Sequence, residues 1–238
     1  MTRFATWIQS LRFPERSILF ALLFMAVTIW AFIEISDTVS DGEITSFDQS
    51  ILMFLRQPEN LHEPRGPAWL HQAAIDITAL GGGTVITLVS GAVILFFWLQ
   101  RKYGLMILVI VSISGGALLT TFLKDRFQRE RPSLVPHLAE VTSPSYPSGH
   151  STLSTITFLT LASLLARSTK NKSEKIYFIV LAVLLSFFIG LSRIYLGVHY
   201  PTDVLAGWCT GIVWALACVM TARWLQQKGN VEPPESAS

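Results

Sequence analysis

Charge is scarce in this sequence. Asp, Glu, Lys and Arg make up 14% of its 238 residues, whereas 51% are hydrophobic; soluble domains carry about 25% charged residues. So few charges cannot cover a water-facing surface, and the bilayer is the expected solvent. The two signs nearly balance, 18 basic against 16 acidic, so no basic excess points to a nucleic-acid partner. Cysteine is almost missing. Cys209 and Cys218 stand nine positions apart in one apolar run, too far along a helix for a mutual disulfide. Nothing here resembles a zinc or iron–sulfur ligand set.

What the sequence does have is long apolar runs. Six have the length needed to cross the hydrocarbon core as a helix: residues 17–35, 80–99, 105–123, 151–166, 176–191 and 204–224. The fourth and fifth are short and borrow flanking residues such as Tyr177 and Tyr195 as interface anchors. The first follows Arg12 and Arg16, but it is too long for a signal-peptide core and carries Trp30 and Phe32 where cleavage needs small residues. It is expected to stay as a span. With the N-terminus cytoplasmic, the inside segments hold Arg3, Arg12, Arg16, Arg101, Lys102, Arg167, Lys170, Lys172, Lys175, Arg223 and Lys228, as the positive-inside rule requires. Asp37, Asp41, Glu43 and Asp48 then fall outside. The expectation is an all-α, polytopic membrane helical bundle with six transmembrane helices, a single domain over residues 1–238.

Only residues 36–79 are long enough to hold extra structure. Ile44, Phe47, Ile51, Leu52 and Leu55 recur at helical spacing while Asp48 and Arg56 stay polar, the pattern of an interfacial amphipathic helix on the outer side. A second short helix is expected at 68–77. Gly81–Gly83 opens the second run and Gly115–Gly116 interrupts the third, both readable as close helix contacts. The 170–175 loop and the 229–238 tail are polar and suggest no chemistry.

Three polar clusters fall on one predicted membrane face. The first, from Lys124 to Pro132, carries Lys124 and Arg131 seven residues apart. On a continuing helix both would lie on one side, able to face one anion. The second, Tyr146-Pro147-Ser148-Gly149-His150, stands at the start of the fourth run; Pro147 suits a helix start, and the free amides of a first helical turn bind anions. The third runs from Ser192 to Asp203. Pro201 marks a helix start, and Asp203 is near enough to His199 to fix its tautomer and leave the other nitrogen as a nucleophile. Each cluster alone has a plainer reading: a headgroup patch, a structural histidine, a helix cap. Those readings leave Arg193 and the shared face unexplained.

The order Lys-x6-Arg-Pro, Pro-Ser-Gly-His, Ser-Arg-x5-His-x3-Asp resembles the three-part signature of the type 2 phosphatidic acid phosphatase superfamily. It is carried here by Lys124, Arg131 and Pro132, by 147–150, and by Ser192, Arg193, His199 and Asp203. The resemblance implies a lipid phosphate phosphatase without metal or cofactor, embedded in a bacterial inner membrane, its site facing the periplasm. It implies that His199 attacks phosphorus, Asp203 orients the ring, and His150 protonates the leaving oxygen and then activates water. Lys124, Arg131 and Arg193, with Ser148 and the Gly149 amide, would hold the phosphate oxygens. Undecaprenyl diphosphate, phosphatidylglycerophosphate, phosphatidic acid and phosphorylated lipid A all suit the motifs, which read phosphate alone; oligomeric state stays open. Two rivals remain at this stage, a lipid phosphotransferase with the same site and a non-catalytic transporter or binding protein. A pump would be expected to carry ionisable groups near the bilayer midplane, and the six runs contain none.

Overall fold

The computed structural model describes residues 13–41 and 44–227. Arg3, Arg12, Glu43, Lys228 and the polar tail, on which part of the orientation reading rests, lie outside the described residues. Among those described, the chain forms eight helices and one hairpin: α1 Phe13–Ser40, α2 Ser46–Phe54, β1 Arg56–Gln57, β2 Asn60–Pro64, α3 Ala68–Ala79, α4 Gly83–Leu99, α5 Tyr103–Phe127, α6 Gly149–Arg167, α7 Lys172–Tyr195 and α8 Pro201–Gln227.

Four helices are long and apolar enough to cross a membrane: α1, α5, α7 and α8. Helices α3 and α4, bent by 44° at their break, count together as a fifth. The remaining predicted span, α6, falls short because its buried face is built of Ser151, Thr152, Ser154, Thr155, Thr157 and Thr160. The reason is its position. It packs against α7, α8 and α5, so it needs little apolar surface for lipid. Some of its hydroxyls bond back to its own backbone, Thr152 to Ser148 O at 2.9 Å and Thr155 to Ser151 O at 2.7 Å, which satisfies those without a partner helix. The Thr157 and Thr160 hydroxyls, by contrast, are buried without a hydrogen-bond partner.

Small residues bring the helices together, as expected where lipid removes the hydrophobic drive for association. On α8, a Cβ at Gly207 would stand 2.8 Å from Ser148 O, and one at Gly211 would stand 2.6 Å from the Thr155 Cβ. Gly115 and Gly116 do not interrupt α5; they admit the Trp214 ring and the Ile156 side chain. Helix α1 lies at the edge, with Phe20, Val27 and Trp30 exposed. It is joined to the bundle where Ile35 and Val39 meet Tyr146 and Ala206, and where the Ser36 and Tyr146 hydroxyls bond at 2.7 Å.

At one end of the bundle, α2, the hairpin, α3 and the 128–148 loop gather over the α7–α8 junction. Leu52, Val135, Ile194, Tyr200 and Val204 form one apolar cluster there, and Ala74, Tyr195, Leu196 and Val198 another. Helix α3 matches the short helix expected at 68–77. Helix α2 forms where expected, with Leu52 buried and Ile51 and Leu55 packed against the same cluster. Asp48 and Arg56, expected on the polar face, are fully buried too, while Phe47 is exposed. Tyr195 is not an interface anchor either. It is buried, and its hydroxyl donates to Arg65 O at 3.3 Å, whereas Tyr177 is exposed. Lys172 and Lys175 belong to α7, which Asn171 caps, rather than to a loop.

Candidate active site

The three motifs meet beneath this cap. Helix α5 ends at Phe127, and Gln128 takes a left-handed φ of 47° with its N–H on Lys124 O. The helix therefore does not continue to Arg131, as the spacing suggested. The loop after Gln128 carries Arg131 back instead, where its Nε donates to Ser143 O at 2.8 Å and Nη1 to Val198 O at 2.6 Å. Lys124 Nζ donates to Pro144 O, so both cations are tied to the 143–144 turn.

After the cis Tyr146–Pro147 bond, Ser148 rather than Pro147 begins the helix. It is the N-cap of α6, and its Oγ accepts from the Ser151 hydroxyl at 3.0 Å. The Ser148 N–H reaches Asp203 O at 3.0 Å, locking the start of α6 to the first turn of α8. Lys124 passes over Gly149, whose added Cβ would touch its Cε at 3.7 Å. His150 is half-buried, and its imidazole has no hydrogen-bond partner among the described residues. It interacts electrostatically with Arg193, His199, Arg131 and Lys124.

His199 lies in the turn between α7 and α8, 1% exposed. Gly197 makes that turn with a φ of +73°, and an added Cβ would strike Arg56 Nη2 at 2.5 Å and Pro136 O at 2.9 Å; glycine is required on both counts. The His199 Nδ1 stands 3.3 Å from Asp203 Oδ2, and Arg131 Nη1 stands 3.3 Å from Nε2. An arginine only donates, so Nε2 presents its lone pair and the ring proton sits on Nδ1, facing Asp203. Burial lowers the imidazole from 6.5 to about 4, although its bond to Asp203 and the charge of Asp203 pull upward. Arg193, on the last turn of α7, is 4% exposed and donates to Thr78 Oγ1 at 3.1 Å.

All eight sequence-predicted residues, Lys124, Arg131, Ser148, Gly149, His150, Arg193, His199 and Asp203, thus border one site. Several further residues escaped sequence reasoning. Ser145 Oγ donates to Asp203 Oδ2. Arg129 bridges two carboxylates, Asp203 Oδ1 at 2.6 Å and Asp48 Oδ2 at 3.1 Å. Burial disfavours its charge, but Asp203 and Asp48 outweigh that and raise its pKa. Arg131 goes the other way, lowered by burial against Asp203. Arg129 stood inside the first motif without an assigned role, and Asp48 contacts Thr202 across 154 positions, which no local spacing reveals. Among the described residues no group of three or more His, Cys, Asp or Glu is arranged to hold a metal ion.

The arrangement has counterparts among solved proteins. The chain superimposes on the crystal structure of a transmembrane PAP2-type phosphatidylglycerolphosphate phosphatase from Bacillus subtilis with a TM-score of 0.68 and 25% identity, covering 86% of this chain and 96% of that one. The bundle is therefore that of an integral membrane phosphatase. In sequence it is 30% identical over 190 residues to phosphatidylglycerophosphatase B of Bacillus subtilis (strain 168), over 76% of this chain and 86% of the relative. It is 35% identical over 125 residues to an undecaprenyl-diphosphatase of Sulfolobus acidocaldarius, over 50% of this chain and 55% of the relative. The PAP2 superfamily profile matches residues 104–227, the stretch that builds α5 to α8. The chain belongs to the PAP2 superfamily, among its membrane lipid phosphatases.

Proposed function

We propose that this protein hydrolyses a lipid mono- or diphosphate at the outer membrane surface through a phosphohistidine on His199. The observation that carries this is the placement of that ring, Nδ1 3.3 Å from Asp203 Oδ2 and Nε2 3.3 Å from Arg131 Nη1, which favours the proton on Nδ1 and a free lone pair on Nε2. Nε2 attacks phosphorus in line, forming a P–N bond as the P–O bond to the lipid breaks, and Asp203 stabilises the positive ring that results. His150 gives its proton to the departing oxygen, then takes one from the water that cleaves the P–N bond. Lys124, Arg131 and Arg193, with the Ser148 hydroxyl and the Gly149 amide, hold the equatorial oxygens. Fixed cations and amides stabilise phosphoryl transfer by position and charge, so the reaction is expected to run in a chelator.

The substrate's chains stay in the bilayer while its phosphate rises to the helix ends. In this reading six spans cross: α1, α4 with α3 leaning on it, α5, α6, α7 and α8. Helix α6 has 19 residues, about 28 Å of rise against a hydrocarbon core of about 30 Å. Both termini are cytoplasmic and the cap over the site lies outside. The names of the relatives suggest phosphatidylglycerophosphate and undecaprenyl diphosphate as first substrates to try.

The test is phosphate release by purified protein in detergent and chelator across a panel of lipid mono- and diphosphates. Release should vanish in His199→Ala, and rapid acid-free quenching of the wild type should trap radiolabelled phosphohistidine. More than a few per cent of activity left in His199→Ala would sink the assignment. Release that depends on an added acceptor lipid would favour a phosphotransferase.

A further inference from the structure

We propose that Asp48 is a positioning residue of the active site, acting through Arg129 on Asp203 and so on His199, which makes α2 a working part of the catalytic apparatus. Asp48 comes from outside the matched stretch 104–227 and is fully buried. A buried carboxylate persists only when its oxygens are filled and its charge is met. Its Oδ1 accepts from the Thr202 N–H at 3.0 Å; its Oδ2 accepts from the Thr202 hydroxyl at 2.8 Å and from Arg129 Nη2 at 3.1 Å. The other arm of the same guanidinium, Nη1, donates to Asp203 Oδ1 at 2.6 Å and to Thr202 Oγ1 at 2.8 Å. The cation also lies 4.2 Å above the Tyr200 ring, so one planar fork is fixed between two carboxylates.

As an anion at the N-terminus of α8, Asp48 would be accounted for by helix capping alone. The shared arginine goes further. The charge on Asp48 sets how much of the Arg129 charge falls on Asp203. Asp203 Oδ2 meanwhile faces His199 Nδ1 and accepts from the Tyr200 N–H at 2.9 Å. With Asp48 neutral, Arg129 would act on Asp203 alone, and Asp203 would pull less on the Nδ1 proton. With Arg129 neutral, Asp203 would pull more. The other charged or titratable groups facing His199 are Arg131 from the loop, Arg193 from α7 and His150 from α6. Those facing Asp203 include Lys124 from α5, Tyr146 and Tyr200. All of them stay in place in either variant.

The inference rests on His199 being the nucleophile, and its test separates the two ideas. Phosphate release is measured against pH for wild type, Asp48→Asn, Arg129→Gln and the double variant, with a melting temperature for each in detergent. Each single change should lower kcat about tenfold with KM within about twofold, the mark of a lost transition-state effect. The acid limb of kcat/KM should move to lower pH in Asp48→Asn and to higher pH in Arg129→Gln, each by roughly half a unit. The double variant should return it toward wild type. Shifts in the same direction, no shift in either, or wild-type kcat in Asp48→Asn overturns the proposal. If Asp48→Asn does not fold, Arg129→Lys decides, since it keeps the charge but cannot span both carboxylates. Its kcat should fall while the limb stays, and wild-type kcat there overturns the proposal as well. His199→Ala is run alongside. Turnover surviving in it overturns the histidine reading and this inference together; an inactive His199→Ala beside a wild-type Asp48→Asn overturns this inference alone.

Discussion

Burial sets the working range of His199. With the imidazole drawn from 6.5 down to about 4 by desolvation, against the upward pull of Asp203, the neutral ring persists well below neutrality. The acid limb that protonation of His199 sets on kcat/KM of the free enzyme should therefore lie near pH 4. The same shift links to stability. Between pH 6.5 and 4 the unfolded chain carries the His199 proton and the folded one does not. This contribution is thus full above 6.5, is lost as pH falls through that window, and stays lost below it. The melting temperature in detergent should drop across the window and drop less in His199→Gln; equal drops would assign the acid sensitivity to other groups. Asp203→Ala should cost most but not all of the activity, because its role is to orient and stabilise. The residues that border the site were legible in the sequence because holding phosphate demands cations, amides and histidines in recognisable types. Arg129 and Asp48 were not, because their roles rest on each other's position rather than on their own type.

Elements were legible in period but only partly in direction. The spacing of Ile44, Phe47, Ile51, Leu52 and Leu55 correctly implied a helix, and Leu52 does turn inward. Asp48 turns inward as well, because its partners Thr202 and Arg129 come from far along the chain. Likewise seven residues between Lys124 and Arg131 suggest two turns of helix, while the left-handed Gln128 achieves the same convergence by ending α5 early. Helix contacts carry the site geometry in turn. Gly207 lies on α8 one turn from Asp203, and its missing side chain lets Ser148 O approach to within 2.8 Å of where a Cβ would sit. Because the obstruction is backbone, Gly207→Ala must push α6 and α8 apart. Its kcat should fall at least tenfold, with a lower melting temperature, and a wild-type kcat would mean that the two helices carry the site independently of their spacing.

At the scale of the whole molecule, the proposed orientation puts the hairpin outside and the α6–α7 turn inside. In a background lacking Cys209 and Cys218, a cysteine at Glu63 should react with an impermeant maleimide in intact cells. One at Lys170 should react only after permeabilisation; both positions are exposed. The reverse pattern would invert the topology and move the site to the cytoplasmic face. Composition alone announced a membrane protein, and the apolar runs gave six spans; among the described residues four helices and the bent α3–α4 pair are long and apolar enough to cross, and α6 falls short.

The hydroxyls that line α6 also decide when that helix can reside in a bilayer. Synthesis delivers α6 before α7 and α8, the two helices that cover most of it. Alone, it would present a row of serines and threonines to hydrocarbon, too polar to partition on its own account. A chain truncated after residue 170 and released from the ribosome should therefore fail to hold α6 in the membrane, and a released chain that runs through α8 should hold it. Protection from an added protease would report the difference. In the proposed six-span arrangement, lateral assembly with later helices would seat the helix that carries His150.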